Sequence, residues 1–266
     1  MTDAGTPWTE VEFQFDPKLT VPELQFNSVA LKDEIHSLCQ EIKPIAWRSQ
    51  PPGSLSGLSL SYDPQAPEQD WHCGSFGHPR YQIYNSKEYF QQPALDHLSN
   101  KTFKGDYLDA LSFRRLLPEI EKYPALSSLL NGFAAPLVMA RLRILDGNLV
   151  YPTYDDGGLH TDFPPSDCMR INVCVTTTDD FGLQYENHEP FFLQPGQHCV
   201  VNTDVKHRPW VRKRSAFSRI HLTLELTPWL DYDPVADAWS INEHCGKTHP
   251  YDLVRRGWML KSTRRP

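Results

Sequence analysis

The sequence predicts a mainly β protein, an antiparallel barrel or sandwich preceded by helices and loops. Two observations carry that expectation. From Pro136 onward, short runs of strand-forming residues are separated by Gly, Pro, Asn and Asp, the texture of many short antiparallel strands. Within two of those runs, apolar and polar side chains alternate with a period of two, so each strand presents one apolar and one polar face.

The first 28 residues form an extended lead-in with strand character at Val11-Glu12-Phe13-Gln14-Phe15. Residues 29–43 place Leu31, Ile35, Leu38 and Ile42 at helical spacing. Pro44, Pro51, Pro52, Pro64 and Pro67 make residues 44–70 a loop, because proline lacks an amide donor. A short strand at Leu58–Tyr62 interrupts that loop. Residues 114–132 suggest short helices broken at Pro118 and Pro124. The strand runs are Leu137–Leu145, Met169–Thr176, Gly182–Tyr185, Phe191–Leu193, Cys199–Asn202 and Phe217–Leu226. One domain is expected: residues 1–135 pack on a core of residues 136–230, and residues 231–266 extend from it.

Composition narrows the function. A hydrophobic content of 39% with 12% aromatics suits an ordinary globular chain. The net charge of −7 argues against a nucleic-acid partner, which would need clustered Lys and Arg. Arg212-Lys213-Arg214 and the tail arginines 255, 256, 264 and 265 read as solvated surface. The six cysteines show no CxxC spacing, which disfavours a zinc ribbon and a disulfide framework. With no apolar run long enough to span a bilayer and no signal-peptide pattern, a cytoplasmic protein without a membrane partner is expected. No G-x-S-x-G, G-x-G-x-x-G or Walker loop is present.

The alternating strands point to a pocket. In 169–175, Met169, Ile171, Val173 and Val175 oppose Arg170, Asn172 and Cys174. In 218–226, Ile220, Leu222, Leu224 and Leu226 oppose Arg219, His221, Thr223 and Glu225. A solvated sheet face would be dominated by Lys and Glu, whereas Arg, Asn, His and Thr suit a polar cavity. Arg170, Asn172 and His221 are equally readable as pocket groups or structural hydrogen bonders.

The central constellation is Leu159-His160-Thr161-Asp162 with His207 far downstream. His160 and Asp162 point the same way in an extended segment. Two imidazoles and one carboxylate on one face hold a metal while leaving positions open, as non-haem iron chemistry requires. His188, in a polar turn, is the rival third ligand, and Asp155 and Asp156 beside Gly157 and Gly158 read as turn residues. Arg219 lies one strand beyond His207. Its planar guanidinium can grip a carboxylate through two hydrogen bonds, or it could pair with Glu225.

Together, Ala140-Arg141-Leu142-Arg143-Ile144-Leu145, His160-Thr161-Asp162, Met169-Arg170-Ile171-Asn172-Val173, His207 and Arg219-Ile220-His221-Leu222 resemble the aspartyl/asparaginyl β-hydroxylase family. Within that family, the bacterial proline cis-4-hydroxylases share the acidic ligand seen here as Asp162. The resemblance covers residues 136–230 and implies a double-stranded β-helix, a jelly-roll or cupin-like core with flanking N-terminal helices. It implies iron(II), 2-oxoglutarate as cosubstrate and O2, with ascorbate as a supporting reductant. Arg219 would anchor the distal carboxylate of 2-oxoglutarate, and Arg170 would lie near its other end. The family often has Arg-x-His where this chain has Arg170-Ile171-Asn172, and residues 150–158 resemble an insertion before the metal motif. The expected activity is dioxygenation, hydroxylating an amino acid or an amino-acid-derived metabolite. The alternatives are a protein Asp/Asn hydroxylase, or a non-redox cupin-like isomerase or sensor.

Overall fold

A computed structural model of the chain describes residues 19–21, 24–46, 55–72, 111–147, 158–162, 168–213, 216–245, 247–257 and 259–261. Its centre is strand β10 (Arg219–Leu226), held between β5 (Leu137–Leu145) and β6 (Met169–Thr176), antiparallel to both. Beyond β5 come β2 (Leu55–Ser59) and the edge strand β1 (Ile45–Ala46). Beyond β6 comes β8 (His198–Val201), completing a six-stranded sheet in the order β1-β2-β5-β10-β6-β8. A second antiparallel pair, β7 (Phe181–Tyr185) with β9 (His207–Val211), forms a separate sheet. The result is mainly β and antiparallel, as the alternating runs predict, and agrees with the jelly-roll core that the resemblance implies.

The alternation decides what each face does. Ile220, Leu222, Leu224 and Leu226 join Met169, Ile171, Val173 and Val175 in the main apolar core. Helices cover that core. In α1 (Ser28–Glu41), Leu31, Ile35 and Leu38 are buried, and the Asn27 side chain caps the first turn by accepting from Ala30 N. In α2 (Pro124–Asn131), Leu126, Leu129 and Leu130 are buried. The Glu34 carboxylate of α1 accepts from the Ala125 and Leu126 amides at 3.0 and 2.8 Å. Those are donors that a helix start otherwise leaves unsatisfied. A smaller core of Tyr185, Phe191, Cys199 and Val201 packs between the second sheet and β8.

Several expectations need correction. Pro118 and Pro124 begin helical segments instead of breaking them: Pro118 opens a 3-10 turn through Lys122 and Pro124 opens α2. The first helical position needs no amide donor, and proline's φ is already helical there. Ahead of them, Arg115–Leu116 (β4) pairs with Ser61–Tyr62 (β3), so the predicted Leu58–Tyr62 strand is split between two sheets. Phe191–Leu193 makes only one bridge, Leu183 to Phe191, flanked by Pro190 and Pro195. His207 is the first residue of strand β9. The C-terminal stretch includes the hairpin β11 (Leu230–Asp233) and β12 (Ala238–Ile241) and the helix α3 (Pro250–Arg255). Its end is tied back by Ala134 N to Met259 O at 2.7 Å and Lys261 N to Gly132 O at 2.9 Å. The predicted strand at Val11–Phe15, the insertion over residues 150–157 and the Asp155-Asp156 turn lie outside the described residues. Among the described residues, no helix is long and apolar enough to cross a membrane.

Candidate metal centre and cavity

Backbone hydrogen bonds bring the predicted ligands together. His160 N donates to His207 O at 3.0 Å and His207 N donates to His160 O at 2.9 Å, while Asp162 N donates to Thr203 O at 2.9 Å. Gly158, at φ +71°, supplies the left-handed turn that feeds this segment. One ligand atom each from His160, Asp162 and His207 lies within 4.8 Å of the others. Asp162 Oδ2 is 3.8 Å from His160 Nε2 and 3.6 Å from His207 Nε2.

The imidazole protons follow from the neighbours. His160 Nδ1 lies 3.0 Å from Gly158 O and His207 Nδ1 lies 2.9 Å from Val205 O. A carbonyl can only accept, so each Nδ1 is placed to donate to its carbonyl, and each ring turns its Nε2 edge toward Asp162. That donor set, two imidazoles and one carboxylate, fits a divalent transition metal with positions left over. Arg170 Nη1 ion-pairs with Asp162 Oδ2. Burial alone would raise the Asp162 carboxyl, but Arg170, His207 and Arg143 outweigh it and hold the group well below the usual carboxylate range. Asp162 is therefore anionic. His188 sits in the turn after β7, donating its amide to Tyr185 O at 3.1 Å, outside this cluster.

Next to the cluster, a cavity of about 670 Å3 opens between the two sheets. His160, Asp162, His207, Arg170, Asn172, Arg219 and His221 all line it. The polar face of β10 is thus an interior wall, not a solvated one: Arg219, His221, Thr223 and Glu225 are all buried. Arg219 Nη1 donates to Gly182 O on β7 at 3.1 Å, spanning the gap between the sheets. Glu225, weighed above as a partner for Arg219, instead accepts from Arg141 Nη2 at 2.5 Å and from Arg170 Nη2 at 2.8 Å. Arg170 is placed on Asp162 and Glu225. His221 stands opposite Arg143 of β5, and burial together with Arg219 and Arg143 pushes its pKa well below the usual imidazole value. It is a neutral group at physiological pH.

Sequence reasoning gave no site role to Arg143, and it placed Thr223 on the polar face of its strand without a role of its own. Arg143 faces the cavity, and burial followed by Arg141 and Arg170 pushes its pKa down to about 9. Its signal was present: Arg141 and Arg143 alternate with Ala140, Leu142 and Ile144, the same pattern as in β6 and β10. Thr223 is opposite Asn172 on β6. Thr223 Oγ1 and Asn172 Oδ1 are buried without a hydrogen-bond partner among the described residues, and such pairs of unsatisfied atoms mark a place for a polar ligand or water. The rest of the wall is apolar, with Leu145, Phe181, Leu183, Phe191 and Val201 prominent.

No protein-family model matches the chain, and no curated protein matches it. Among solved structures, it is similar to the DMSP lyase DddQ from Ruegeria pomeroyi DSS-3, at 17% identity and a TM-score of 0.25 over 43% of this chain. The chain spans about half the length of that lyase, 53%. It is also similar to KdgF from Halomonas sp., at 14% identity and a TM-score of 0.23 over 36% of this chain and 72% of that one. IDO from Bacillus thuringiensis aligns at 10% identity and a TM-score of 0.27, over 82% of this chain and 92% of that one. These likenesses carry no information about the chemistry of the site. What fold and site define together is a jelly-roll protein with a His–Asp–His group that could hold a metal beside a cationic cavity. The hydroxylase resemblance rests on the motifs themselves.

Proposed function

We propose that this chain is an iron(II)- and 2-oxoglutarate-dependent dioxygenase acting on an amino acid or an amino-acid-derived metabolite. One observation carries the reading: the buried Arg219 guanidinium lines the same cavity as the His160, Asp162 and His207 cluster. A ligand set of this kind leaves room for a chelating cosubstrate, and Arg219 offers the far end of a dicarboxylate a bidentate partner.

In this reading His160, Asp162 and His207 hold the iron. Bound iron(II), with O2 and 2-oxoglutarate, supplies the oxidising chemistry that side chains lack. The chain does the rest. The Nδ1–H bonds of His160 and His207 to Gly158 and Val205 fix the ring orientations. Arg219 neutralises the distal carboxylate, and neutral His221 beside it can hydrogen-bond without adding charge. Phe181, Leu183 and Phe191 keep water from the reacting carbon. Among the described residues, Arg143, Arg170 and Arg219 line the cavity against one carboxylate, Asp162. That imbalance favours acidic ligands and supports a carboxylate-bearing, small-molecule substrate. Retention of Asp162 as a ligand favours hydroxylation over halogenation, which needs that position for chloride.

The test is calorimetric titration of 2-oxoglutarate into protein loaded with redox-inert zinc. Arg219→Gln is expected to weaken binding by about ten- to a hundredfold, the worth of charge-assisted hydrogen bonds. Absence of 2-oxoglutarate binding, or unchanged affinity in the variant, overturns the reading and favours a non-redox metal protein. With iron(II) and ascorbate, succinate release stimulated by one member of an amino-acid panel supports the small-molecule substrate. Stimulation only by added proteins points to a protein hydroxylase.

A further inference from the structure

We infer that Glu225 is a positioning residue for the metal centre: through Arg170 it sets the orientation and effective charge of Asp162, and hence the affinity for the divalent ion. The inference rests on the metal reading of the triad.

Glu225 does not touch the ligand cluster. It lies on β10 opposite Arg170 of β6, so backbone register and not a loop places the two together. Glu225 Oε1 accepts from Arg170 Nε at 3.2 Å and Nη2 at 2.8 Å. Because a guanidinium is planar and rigid, fixing that edge fixes the direction of Nη1. Nη1 is the atom on Asp162 Oδ2, the same oxygen that faces both imidazoles. The orientation of a ligand carboxylate is therefore handed down from a buried acid on the central strand.

Charge adds a second effect in the same direction. An arginine bound to Asp162 alone would compete with a cation for that carboxylate. Glu225 divides the Arg170 charge between two carboxylates, and Arg141 Nη2, at 2.5 Å, balances the surplus. Burial would raise the Glu225 carboxyl, but Arg141 and Arg170 outweigh it, so the group remains an anion. Its other oxygen lies 3.6 Å from the Cys168 thiol. Removing the negative charge hands Arg170 wholly to Asp162 and leaves the ion a weaker site.

Cobalt(II) titration of the full chain tests this, read by calorimetry and by the cobalt d–d spectrum. Glu225→Gln is expected to weaken cobalt binding by about ten- to a hundredfold and to alter the spectrum, the usual scale for outer-shell partners of metal ligands. In an Arg170→Gln background, the Glu225→Gln change is expected to have no further effect. Glu225→Asp keeps the charge and shortens the reach, so it serves as the second variant if Glu225→Gln fails to fold, and it is also expected to bind cobalt more weakly than the wild type. Asp63→Asn is the control, another buried acid, salt-bridged to Arg114 at 3.4 Å and absent from the cavity lining; it is expected to lower stability without moving cobalt affinity. Wild-type cobalt affinity in both Glu225 variants, or additive losses in the Arg170→Gln background, overturns the inference alone. A wild-type chain that binds no divalent ion overturns the metal reading and this inference with it.

Discussion

Asp162→Asn separates what the carboxylate does for the fold from what it does for a metal. In the metal-free protein the substitution keeps shape but replaces an anion by an amide beside the Arg170 guanidinium, whose side chain is only 4% exposed. Hydrogen bonds to a charged group contribute about 1.5–3 kcal/mol. Asp162 is 27% exposed and water replaces part of that loss, so a cost near 1 kcal/mol is expected. The larger signal is in the metal response. An ion that binds only the folded state at a hundred times its Kd stabilises by about 2.7 kcal/mol. In a chain of this length each kcal/mol moves the midpoint by roughly 2–4 °C, so a rise of roughly 5–10 °C is expected for the wild type. Thermal unfolding with zinc and with a chelator measures both numbers. The variant is expected to lose the metal-dependent rise while unfolding only slightly earlier with chelator. An undiminished rise in Asp162→Asn would refute the reasoning, because the ion would then be stabilising some other part of a chain of net charge −7.

Two further expectations concern the cavity walls. The folded pKa of His221 lies well below its unfolded value, so protons prefer the unfolded chain. The stability linked to His221 is therefore complete above the unfolded pKa of about 6.5 and falls by about 1.4 kcal/mol per pH unit below it. Urea midpoints between pH 7 and 5 should show a slope that is reduced by one proton in His221→Asn; an unchanged slope would disprove the assignment. Gly182→Ala would place a Cβ 2.9 Å from Phe191 O and 3.2 Å from the Phe192 ring. A loss of about 1–3 kcal/mol is expected from such overpacking. Denaturant unfolding measures it, and a variant as stable as the wild type would show that β7 is free to shift.

The strands that alternate were legible because a period-two pattern is local. Leu137–Leu145 and Met169–Thr176 form over the predicted residues, and the apolar face of β10 goes to the core as its spacing demands. The grouping of His160, Asp162 and His207 was legible for a different reason: His160 and Asp162 sit two apart in an extended segment, and His207 was preferred to His188 because His188 falls in a polar turn. Arg143 was missed although it alternates with apolar residues, because alternation marks a polar face without showing that His221 of the neighbouring strand stands opposite. The Glu225 link was hidden for the same reason, since Glu225 meets Arg170 only through the pairing of β10 with β6. The β11–β12 hairpin was missed because Trp239 and Leu230 are anchored by tertiary burial in a segment rich in turn residues. Proline in 114–132 was misjudged because its effect depends on whether it falls at a helix start or inside one.

Strand β10 addresses two environments at once, with Arg219, His221 and Thr223 in the cavity, Glu225 in the arginine network behind it, and the even positions in the core. A one-residue insertion or deletion inside Arg219–Leu226 would exchange the two sets wholesale, sending leucines to the ligand and ionised groups into the apolar core. Stability and ligand recognition therefore share one register along this strand. New specificities can arise there by substitution at alternate positions, while changes in length are confined to the connections around it.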